Sequence, residues 1–352
     1  MGHSDSPNPP LRVLVLGVSW PLETFVERLV VGLADAGVEL TLASMSSFVR
    51  PPRDWTARHR IRWVDDAVPR TSRSVARVTA RRAGGSVAQA LRPARILRGN
   101  GRSREALLSE PWDVVYVPWL SVLVDHPDLL AMAAPLVTSC RGTLVTIAPW
   151  DPSRLGFREA LADLFAASAL VHCVSDAIVS DAIELDMAPA KARVIRPAVD
   201  PASFRPRTVG GADGPINVIG VGTLNWTKDY EHALVAIRRA VDAGADLLFD
   251  LIGDGPDRPH LRFTIDDLGL GDRVRLLGRR SPPEVAEALQ RADIFLHTSC
   301  SEGISNAVLE AMATGLPVVT TDAGGMREAV RDGVDGFVVP VRDTDAIAGA
   351  LT

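Results

Sequence analysis

From Leu11 onward, apolar runs of strand length alternate with stretches of helical length, and this alternation constrains the fold more than any other feature of the chain. It is typical of βαβ units, in which helices connect the strands of a parallel sheet. The run LRVLVLGV predicts a first strand, a helix follows at about 23–36, and VELTLAS predicts a second strand. Gly37 stands where a helix C-terminus favours glycine. The sequence therefore predicts an α/β fold with parallel sheets.

The same pattern continues through both halves of the chain. In the first half, further strands are predicted at WDVVYVP, PLVTSC, ALVHCVS and ARVIRP. In the second half, strands are predicted at INVIGVG, DLLFDLIG, RVRLLG, ADIFLHTS, LPVVTT and GFVVPV, with helices at about 229–243, 256–269, 282–291 and 304–314. We therefore expect one doubly wound, Rossmann-like domain in each half.

A segment rich in proline and glycine, PAVDPASFRPRTVGGADGP, separates the two series of strands and helices. It lacks helical periodicity, as linkers between domains usually do. We predict a disordered start at 1–10, an N-terminal domain over 11–205, a linker over 206–215 and a C-terminal domain over 216–352. A chain of 352 residues is long enough for both domains to bury a core.

The net charge of -5 and the pI near 5.8 give no whole-protein case for binding nucleic acid. Residues 50–104 are a local exception, because this segment contains fifteen arginines against Asp54, Asp65 and Asp66. A charge run of this kind is usually a solvated face. The alternative is a surface that attracts anionic lipid headgroups or an acidic acceptor.

The three cysteines, Cys140, Cys173 and Cys300, lie far apart in the sequence and inside apolar runs. This spacing predicts buried free thiols in a reducing compartment. The polar, proline-rich start has no apolar signal region, and no run of about 18 uncharged apolar residues occurs. We expect a cytoplasmic protein, with peripheral contact at the inner membrane face as the alternative that the arginines raise.

The stretch SEGISNAVLEAMATGLPVV, residues 301–319, is the most informative for function. A strand, a short turn and a helix are predicted there in succession, so the N–H groups at the helix start form an anion site. Glu302 precedes this helix and Glu310 lies within it, with seven residues between them. Carboxylates accept hydrogen bonds from the paired hydroxyls that ribose and hexose rings present.

EGISNAVLEAMATGLPVV resembles the E-x7-E signature of the retaining glycosyltransferases of family 4, which have the GT-B fold of two Rossmann-like domains facing across a crevice. VGTLNWTKDYEHALVAI, DLLFDLIGDGP and VIRPAVDPASFRP are similar to other blocks of that family, in the same order. The resemblance covers essentially the whole chain and is strongest after Ala169. It specifies the family and the fold far better than the substrates.

The resemblance implies roles for individual residues of the C-terminal half. Glu310 would bind the ribose of a nucleoside-diphosphate sugar, Glu302 would bind the donor sugar, and Lys228 would pair with the diphosphate. The other donor-binding residues implied are those of the turn after Glu302, which would also contact the sugar, and a glycine before the lysine: Gly303, Ile304, Ser305, Asn306 and Gly222.

The sequence departs from the family at Thr223, where an arginine commonly stands and helps the lysine to hold the phosphates. Either Thr223 donates a single hydrogen bond there, or an arginine from elsewhere, Arg141 or Arg279, replaces the missing cation. By resemblance, Arg279 belongs to a loop that meets the nucleobase.

In the N-terminal half, GVSWPLETFVERLVVGLADAGVELTL is similar to a subgroup in which a P-x-E-T-F block replaces the usual glycine-rich acceptor loop. Ser19, Trp20 and Glu23 would form this acceptor-side loop. SCRG aligns where many members have His-Gly, which would bring Arg141 near the reacting sugar to stabilise the leaving phosphate.

These resemblances imply a retaining, metal-independent glycosyltransferase that uses a nucleotide-sugar donor and no cofactor. Its acceptor would be a glycan, a lipid-linked intermediate or a small molecule, and the enzyme would act in the biosynthesis of a polysaccharide or glycoconjugate. A GT-B sugar-nucleotide epimerase and an inactive GT-B binding scaffold remain as alternatives. The resemblance also implies a further helix beyond the last one predicted, since DTDAIAGALT begins a helix that family members usually continue.

Other classes of site are a poor fit to the residues. Gly220 and Gly222 lack the third glycine of a dinucleotide fingerprint, because Asn225 stands there. Asp343 and Asp345 have the spacing of a metal-binding pair, but they follow the last strand, where aspartate is an ordinary helix cap. The seven histidines show no zinc spacing.

Overall fold

The computed structural model describes residues 9–44, 49–64, 107, 109–206 and 214–352. These residues form two compact units. The first comprises the described residues up to 140 together with 144–173 and 179–195, and the second comprises 141–143, 174–178 and the described residues from 196 on. Most of the predicted linker and of the start at 1–10 falls outside the described residues, so the predicted domain boundaries stay a prediction.

The first unit contains a seven-stranded parallel sheet in the order β3-β2-β1-β4-β5-β6-β7. Its strands are β1 (Arg12–Val18), β2 (Glu39–Ser44), β3 (Arg62–Val64), β4 (Val114–Val117), β5 (Leu136–Cys140), β6 (Leu170–Cys173) and β7 (Ala192–Val194). The helices of this half are α1 (Thr24–Asp35), α2 (Arg53–His59), α3 (Leu120–Asp125), α4 (Thr143–Thr146), α5 (Phe157–Ala167) and α6 (Asp176–Ile183). Short 3-10 turns occur at Pro127–Ala131, Ala148–Trp150 and Pro189–Lys191.

Helix α1 forms because its apolar residues recur on one face. Val26 and Val30 are buried against β1 and β2. The helix ends as predicted at Gly37, which adopts a φ of 85° and donates its N–H to the carbonyl oxygen of Ala34. Glycine occupies this left-handed position without the steric penalty of a Cβ.

The second unit contains a six-stranded parallel sheet in the order β10-β9-β8-β11-β12-β13. Its strands are β8 (Ile216–Val221), β9 (Leu247–Ile252), β10 (Val274–Gly278), β11 (Ile294–His297), β12 (Val318–Thr321) and β13 (Gly336–Val339). Its helices are α7 (Tyr230–Asp242), α8 (Arg258–Asp267), α9 (Pro282–Arg291), α10 (Asn306–Ala313), α11 (Met326–Ala329) and α12 (Thr344–Ala350). This strand order is that of a doubly wound dinucleotide-binding fold.

Successive residues of the central strands in the second unit enter different cores. Val218 packs into the core beneath α7, α8 and α12, whereas Ile219 packs into the core beneath α9, α10 and α11. Val319 and Val318 of β12 divide in the same way. Because neighbouring side chains of a strand point to opposite faces, both faces of this sheet are buried. The predicted doubly wound α/β class is confirmed.

One expectation about the cysteines needs correction, namely that all three are buried. Cys140 and Cys173, which are distant in the sequence, are register partners on β5 and β6. Cys300 is only partly buried, because it lies in the turn after β11 rather than inside a strand. The three thiols are free, as expected.

Most of the arginine-rich segment lies outside the described residues, including every arginine from Arg70 to Arg104. Of its aspartates, only Asp54 is described, in the first turn of α2. Among the described helices, none has the length and apolar character needed to cross a lipid bilayer.

Candidate functional site

The candidate site lies at the carboxyl end of the second sheet, where the direction of winding reverses. Strands β8 and β11 are neighbours there, and the strand order runs to β9 on one side and to β12 on the other. Loops after two such strands diverge and leave a crevice, which is where open α/β sheets bind ligands. Lys228 follows β8 and Glu302 follows β11, so the topology brings these two predicted residues to one place.

Lys228 and Glu302 form an ion pair, in which Nζ of the lysine donates to Oε1 of the glutamate. The side chains retain only 21% and 12% of their exposure. The hydroxyl of Thr298 ties the two loops together by donating to the carbonyl oxygens of Lys228, at 3.0 Å, and Asp229, at 3.1 Å. The pair is therefore fixed from both of its strands.

Two further side chains converge on the same oxygen of Glu302. The hydroxyl of Ser299 donates to Oε1 at 2.8 Å, and Nε2 of His297 lies 3.1 Å from it. A carboxylate only accepts hydrogen bonds, so Nε2 carries the proton, and Nδ1 is left to accept from the Thr320 hydroxyl at 3.2 Å. Within the described part of the chain, no group donates to Oε2 of Glu302, which leaves that oxygen available to a ligand.

The electrostatics of the site keep Glu302 ionised. Burial by itself raises the pKa of this carboxyl, but the hydrogen bond from His297 and the charge of Lys228 outweigh burial and lower the pKa to about 2. Burial lowers the pKa of His297, against the opposing effect of Glu302, so the imidazole stays neutral near pH 7. The site thus contains one anion, one cation and one neutral donor.

The backbone at Glu302 and Gly303 packs closely against two glycines of the loop after β12. A Cβ on Gly324, whose φ is 57°, would overlap the carbonyl oxygen of Glu302, and a Cβ on Gly325 would overlap that of Gly303. The N–H of Gly325 donates to the carbonyl oxygen of Gly303 at 2.8 Å. The turn is therefore held against the loop that follows β12, backbone to backbone.

The N–H groups of this turn are available for an anion. Among the described residues, no acceptor takes a hydrogen bond from the N–H groups of Gly303, Ile304, Ser305 or Asn306. Ser305 is the N-cap of α10, yet its side chain makes no capping hydrogen bond. Unpaired N–H groups and the positive end of the helix dipole favour a bound anion. Glu310 lies on the second turn of the same helix and is half-buried.

The predicted glycine at the end of β8 is needed for packing. A Cβ on Gly222 would lie 2.6 Å from the hydroxyl oxygen of Tyr230, the first residue of α7. Thr223, the next residue, is exposed. Arg279 is also exposed and follows the last residue of β10.

Sequence reasoning did not identify Arg342, a further cation close to the site. Its Nε donates to Oδ2 of Asp229 at 3.2 Å, and Oδ1 of the same aspartate lies 2.8 Å from Nδ1 of His232. Asp229 directly follows Lys228, so the bond to Asp229 brings Arg342 close to the lysine. Arg342 follows β13 at a φ of 64°, and no sequence signal pointed to it.

His297 and Ser299 were also missed, although a histidine that ends an apolar strand and lies five residues before Glu302 was a usable signal. The prediction that the aspartate pair at 343 and 345 caps a helix is confirmed. Asp343 is the N-cap of α12, and its carboxylate accepts a hydrogen bond from the N–H of Ala346 at 2.9 Å.

The remaining predicted residues come from the first half of the chain. Arg141 lies in the short segment 141–143 of the second unit, where its carbonyl oxygen occupies the space that a Cβ on Gly303 would need. Ser19, Trp20 and Glu23 belong to the first unit. Ser19 is exposed, and Glu23 is the N-cap of α1 without a capping side-chain bond. The ring of Trp20 packs edge-on against two other tryptophans, Trp55 and Trp63.

Comparison with protein families gives two matches that together span most of the chain. Residues 22–203 match the family model described as Glycosyltransferase Family 4, and residues 215–352 match one described as Glycosyl transferases group 1.

Several curated relatives are similar in sequence. The chain is 27% identical over 352 residues to WcaL of Escherichia coli, which has a provisional name as a colanic acid biosynthesis glycosyltransferase; the match covers 94% of this chain and 86% of the relative. It is 31% identical over 194 residues to the amylovoran biosynthesis glycosyltransferase AmsK of Erwinia amylovora, covering 53% of this chain and 48% of the relative. The chain thus spans about half the length of some of these relatives and most of another.

Solved structures share the fold. HepE of Anabaena, crystallised with UDP-glucose, has a TM-score of 0.71 at 18% identity, and the match covers 96% of this chain and 88% of that one. Sucrose-phosphate synthase of Thermosynechococcus elongatus has a TM-score of 0.73 at 18% identity, with 97% and 88% coverage.

Proposed function

The chain belongs to glycosyltransferase family 4, and from this membership and its site we propose that it transfers a sugar from a nucleoside-diphosphate sugar to an acceptor. The observation that carries the proposal is the buried pair of Lys228 and Glu302 at the switch point of the second sheet, next to the unpaired N–H groups of the turn. A cation, a set of amides and a carboxylate side by side fit a ligand that joins a diphosphate to a sugar.

Lys228 and the turn after Glu302 bind the diphosphate. An ammonium group has three donors, and the described residues engage only one of them, through Oε1 of Glu302, so two remain for phosphate oxygens. The N–H groups at the start of α10 add neutral donors and the helix dipole. Thr223, Gly222 and Arg279 line the path toward the nucleotide.

Glu302 and Glu310 bind the two rings of the donor. Oε2 of Glu302 accepts hydrogen bonds from hydroxyls of the transferred sugar, while Oε1 stays anchored to three protein groups. Glu310, two turns along α10, accepts from the ribose hydroxyls. These assignments make Glu302 the residue that selects the sugar and Glu310 the residue that selects the nucleoside.

Transfer proceeds with retention at the anomeric carbon and needs no divalent metal. Lys228 and the amides neutralise the charge that develops on the leaving diphosphate, which is the largest electrostatic demand of the reaction. Arg141 adds to this stabilisation. Ser19, Trp20 and Glu23 belong to the acceptor side.

The donor to test first is UDP-glucose, because the fold-sharing HepE was crystallised with UDP and with UDP-glucose. The names of WcaL and AmsK refer to extracellular polysaccharides, which supports a glycan or lipid-linked acceptor. The arginines of residues 50–104 would then contact anionic lipid beside that acceptor.

The lysine content of the chain offers a direct test of donor binding. Lys191 and Lys228 are its two lysines. Lys191 is a structural reference, since its ammonium group donates to the carbonyl oxygens of Phe165 and Ala166. After reductive methylation with ¹³C-formaldehyde, the Lys228 signal should shift on titration with UDP, and the Lys191 signal should not. If both signals stay fixed at saturating UDP, UDP-glucose and GDP, Lys228 does not bind the diphosphate.

Hydrolysis of UDP-glucose with water as acceptor tests the chemistry. We expect slow release of α-glucose, unaffected by EDTA, seen by ¹H NMR before mutarotation. Initial β-glucose, or activity that EDTA abolishes and magnesium restores, would contradict retention or metal independence. Conversion of the intact sugar nucleotide to an epimer would identify an epimerase, and binding without turnover of UDP-, GDP-, ADP- or dTDP-sugars would identify a scaffold.

A further inference from the structure

Cys140 and Cys173 lie directly opposite each other in the first sheet. They are the last residues of β5 and β6, and the strand register pairs one with the other. Register partners on parallel strands point to the same face, with the strands about 4.8 Å apart. That spacing falls within the Cα separation of about 4.4–6.8 Å that a disulfide spans. Both side chains are completely buried, and both thiols are free.

The two thiols affect each other's ionisation. The interaction between the two thiols, together with burial, raises the pKa of Cys140, and the same interaction lowers the pKa of Cys173. The thiolate is the nucleophile in thiol–disulfide exchange. Cys173 is therefore the sulfur expected to react first.

Each cysteine is also the last residue of a segment of the first unit. Residues 141–143, directly after Cys140, and residues 174–178, directly after Cys173, belong to the second unit, although the cysteines belong to the first. A covalent bond between these sulfurs would fix the distance between two points at which the chain leaves the first unit. One of these points immediately precedes Arg141.

We propose that Cys140 and Cys173 form a redox modification site that reacts with low-molecular-weight disulfides. The Cys173 thiolate attacks the reagent disulfide, forms a mixed disulfide and releases one small thiol, which takes up the proton lost by Cys173. The Cys140 thiolate then attacks the Cys173 sulfur, and the second small thiol leaves with the proton from Cys140. Two protein thiols are oxidised to one disulfide, and one reagent disulfide is reduced to two thiols.

Burial sets the rate of this exchange rather than preventing it. Both cysteines end their strands, β6 has four residues and the neighbouring β7 has three. Short strands near a sheet edge open locally at a lower free energy than the core. The reagent enters during such openings, so exchange in the folded protein is slow and accelerates with temperature.

The test uses the full chain with Cys300→Ser, which removes the partly exposed thiol. The folded protein is equilibrated with oxidised and reduced glutathione, quenched with acid, and alkylated with N-ethylmaleimide in denaturant. We expect both remaining thiols to be lost together, with a mass decrease of two hydrogens and a peptide that links Cys140 to Cys173. Dithiothreitol should restore both alkylation sites.

Two outcomes would overturn the proposal. In one, both cysteines still react with maleimide after equilibration in excess oxidised glutathione. In the other, a glutathione adduct persists on one cysteine while its neighbour remains free. Cys140→Ser and Cys173→Ser in the same background should yield at most a single adduct. If either variant fails to fold, the Cys300→Ser protein still decides the question, because the linked peptide is its own readout.

Discussion

The Nε2 atom of His297, the last residue of β11, lies 3.1 Å from Oε1 of Glu302, which follows that strand. The histidine is 2% exposed, so it cannot itself reach a sugar of any size. Its contribution is to hold one carboxylate oxygen in place, with Ser299 and Lys228, and the other oxygen is the one that we propose binds the donor sugar. His297 is in this sense a positioning residue.

Replacing His297 should therefore affect transfer more than nucleotide binding. We expect His297→Ala to lower kcat about 10- to 100-fold, because a small displacement of a positioning group costs that much. Affinity for free UDP, measured by calorimetry, should change far less. The control is Thr320→Val, which removes only the hydroxyl that contacts Nδ1 and should have the smaller effect. Equal losses of kcat and UDP affinity would indicate general damage to the fold.

Stability should depend on pH through Glu302. Its pKa falls from 4.5 to about 2 on folding, so its contribution is complete well above pH 4.5 and is lost as the pH falls from 4.5 towards 2. The contribution is on the order of 3 kcal/mol. The lowered pKa of His297 acts in the same direction. Between pH 7 and pH 3, the free energy of unfolding measured with urea should fall less in Glu302→Gln than in the unaltered protein. Parallel curves for the two proteins would contradict the lowered pKa of Glu302.

The two glutamates of the motif should differ in what they recognise. Glu310→Ala is expected to weaken UDP and UDP-glucose alike, whereas Glu302→Ala should chiefly reduce discrimination among sugars. The physical reason is that the two carboxylates lie in different places: Glu302 precedes α10, and Glu310 lies on its second turn. Calorimetry with UDP, UDP-glucose and UDP-galactose measures both effects. An equal loss of UDP affinity in the two variants would count against separate roles.

Gly324 and Gly315 provide a matched pair for the packing of the turn. Both have positive φ, 57° and 76°, but a Cβ on Gly324 would strike the Glu302 carbonyl, while one on Gly315 would meet nothing within 4 Å. Gly315→Ala should cost only the backbone strain of about 1 kcal/mol. Gly324→Ala should cost more and should also weaken UDP-glucose binding. Thermal unfolding and calorimetry distinguish the two, and indistinguishable variants would show that the contact does not matter.

Local signals were sufficient to predict most of the second unit. The helix expected at about 229–243 is Tyr230–Asp242, and the helix expected at 282–291 is Pro282–Arg291, because amphipathic periodicity is clear in both. The segments α2 and β3 were not predicted, since they are too short to show a period. Motif spacing was likewise enough to select Lys228 and Glu302 together.

Contacts set by tertiary structure were beyond local signals. The pairing of Cys140 with Cys173 depends on β5 and β6 being neighbours, and the approach of Arg342 to Asp229 depends on where the loop after β13 passes. Neither follows from the sequence near those residues. The role of His297 was obscured because a histidine at the end of an apolar strand also fits an ordinary buried residue.

The glycines at 303, 324 and 325 limit how this protein can be redesigned. Because main chain contacts main chain at these glycines, a mutational library would sample disrupted turns rather than new shapes of the candidate site. Substitutions meant to alter the choice of sugar are better directed to Ser301 and Ile304, which flank Glu302 and Gly303 and have side chains to exchange. A selection experiment that randomises all five positions should return glycine at three of them and diversity at the other two.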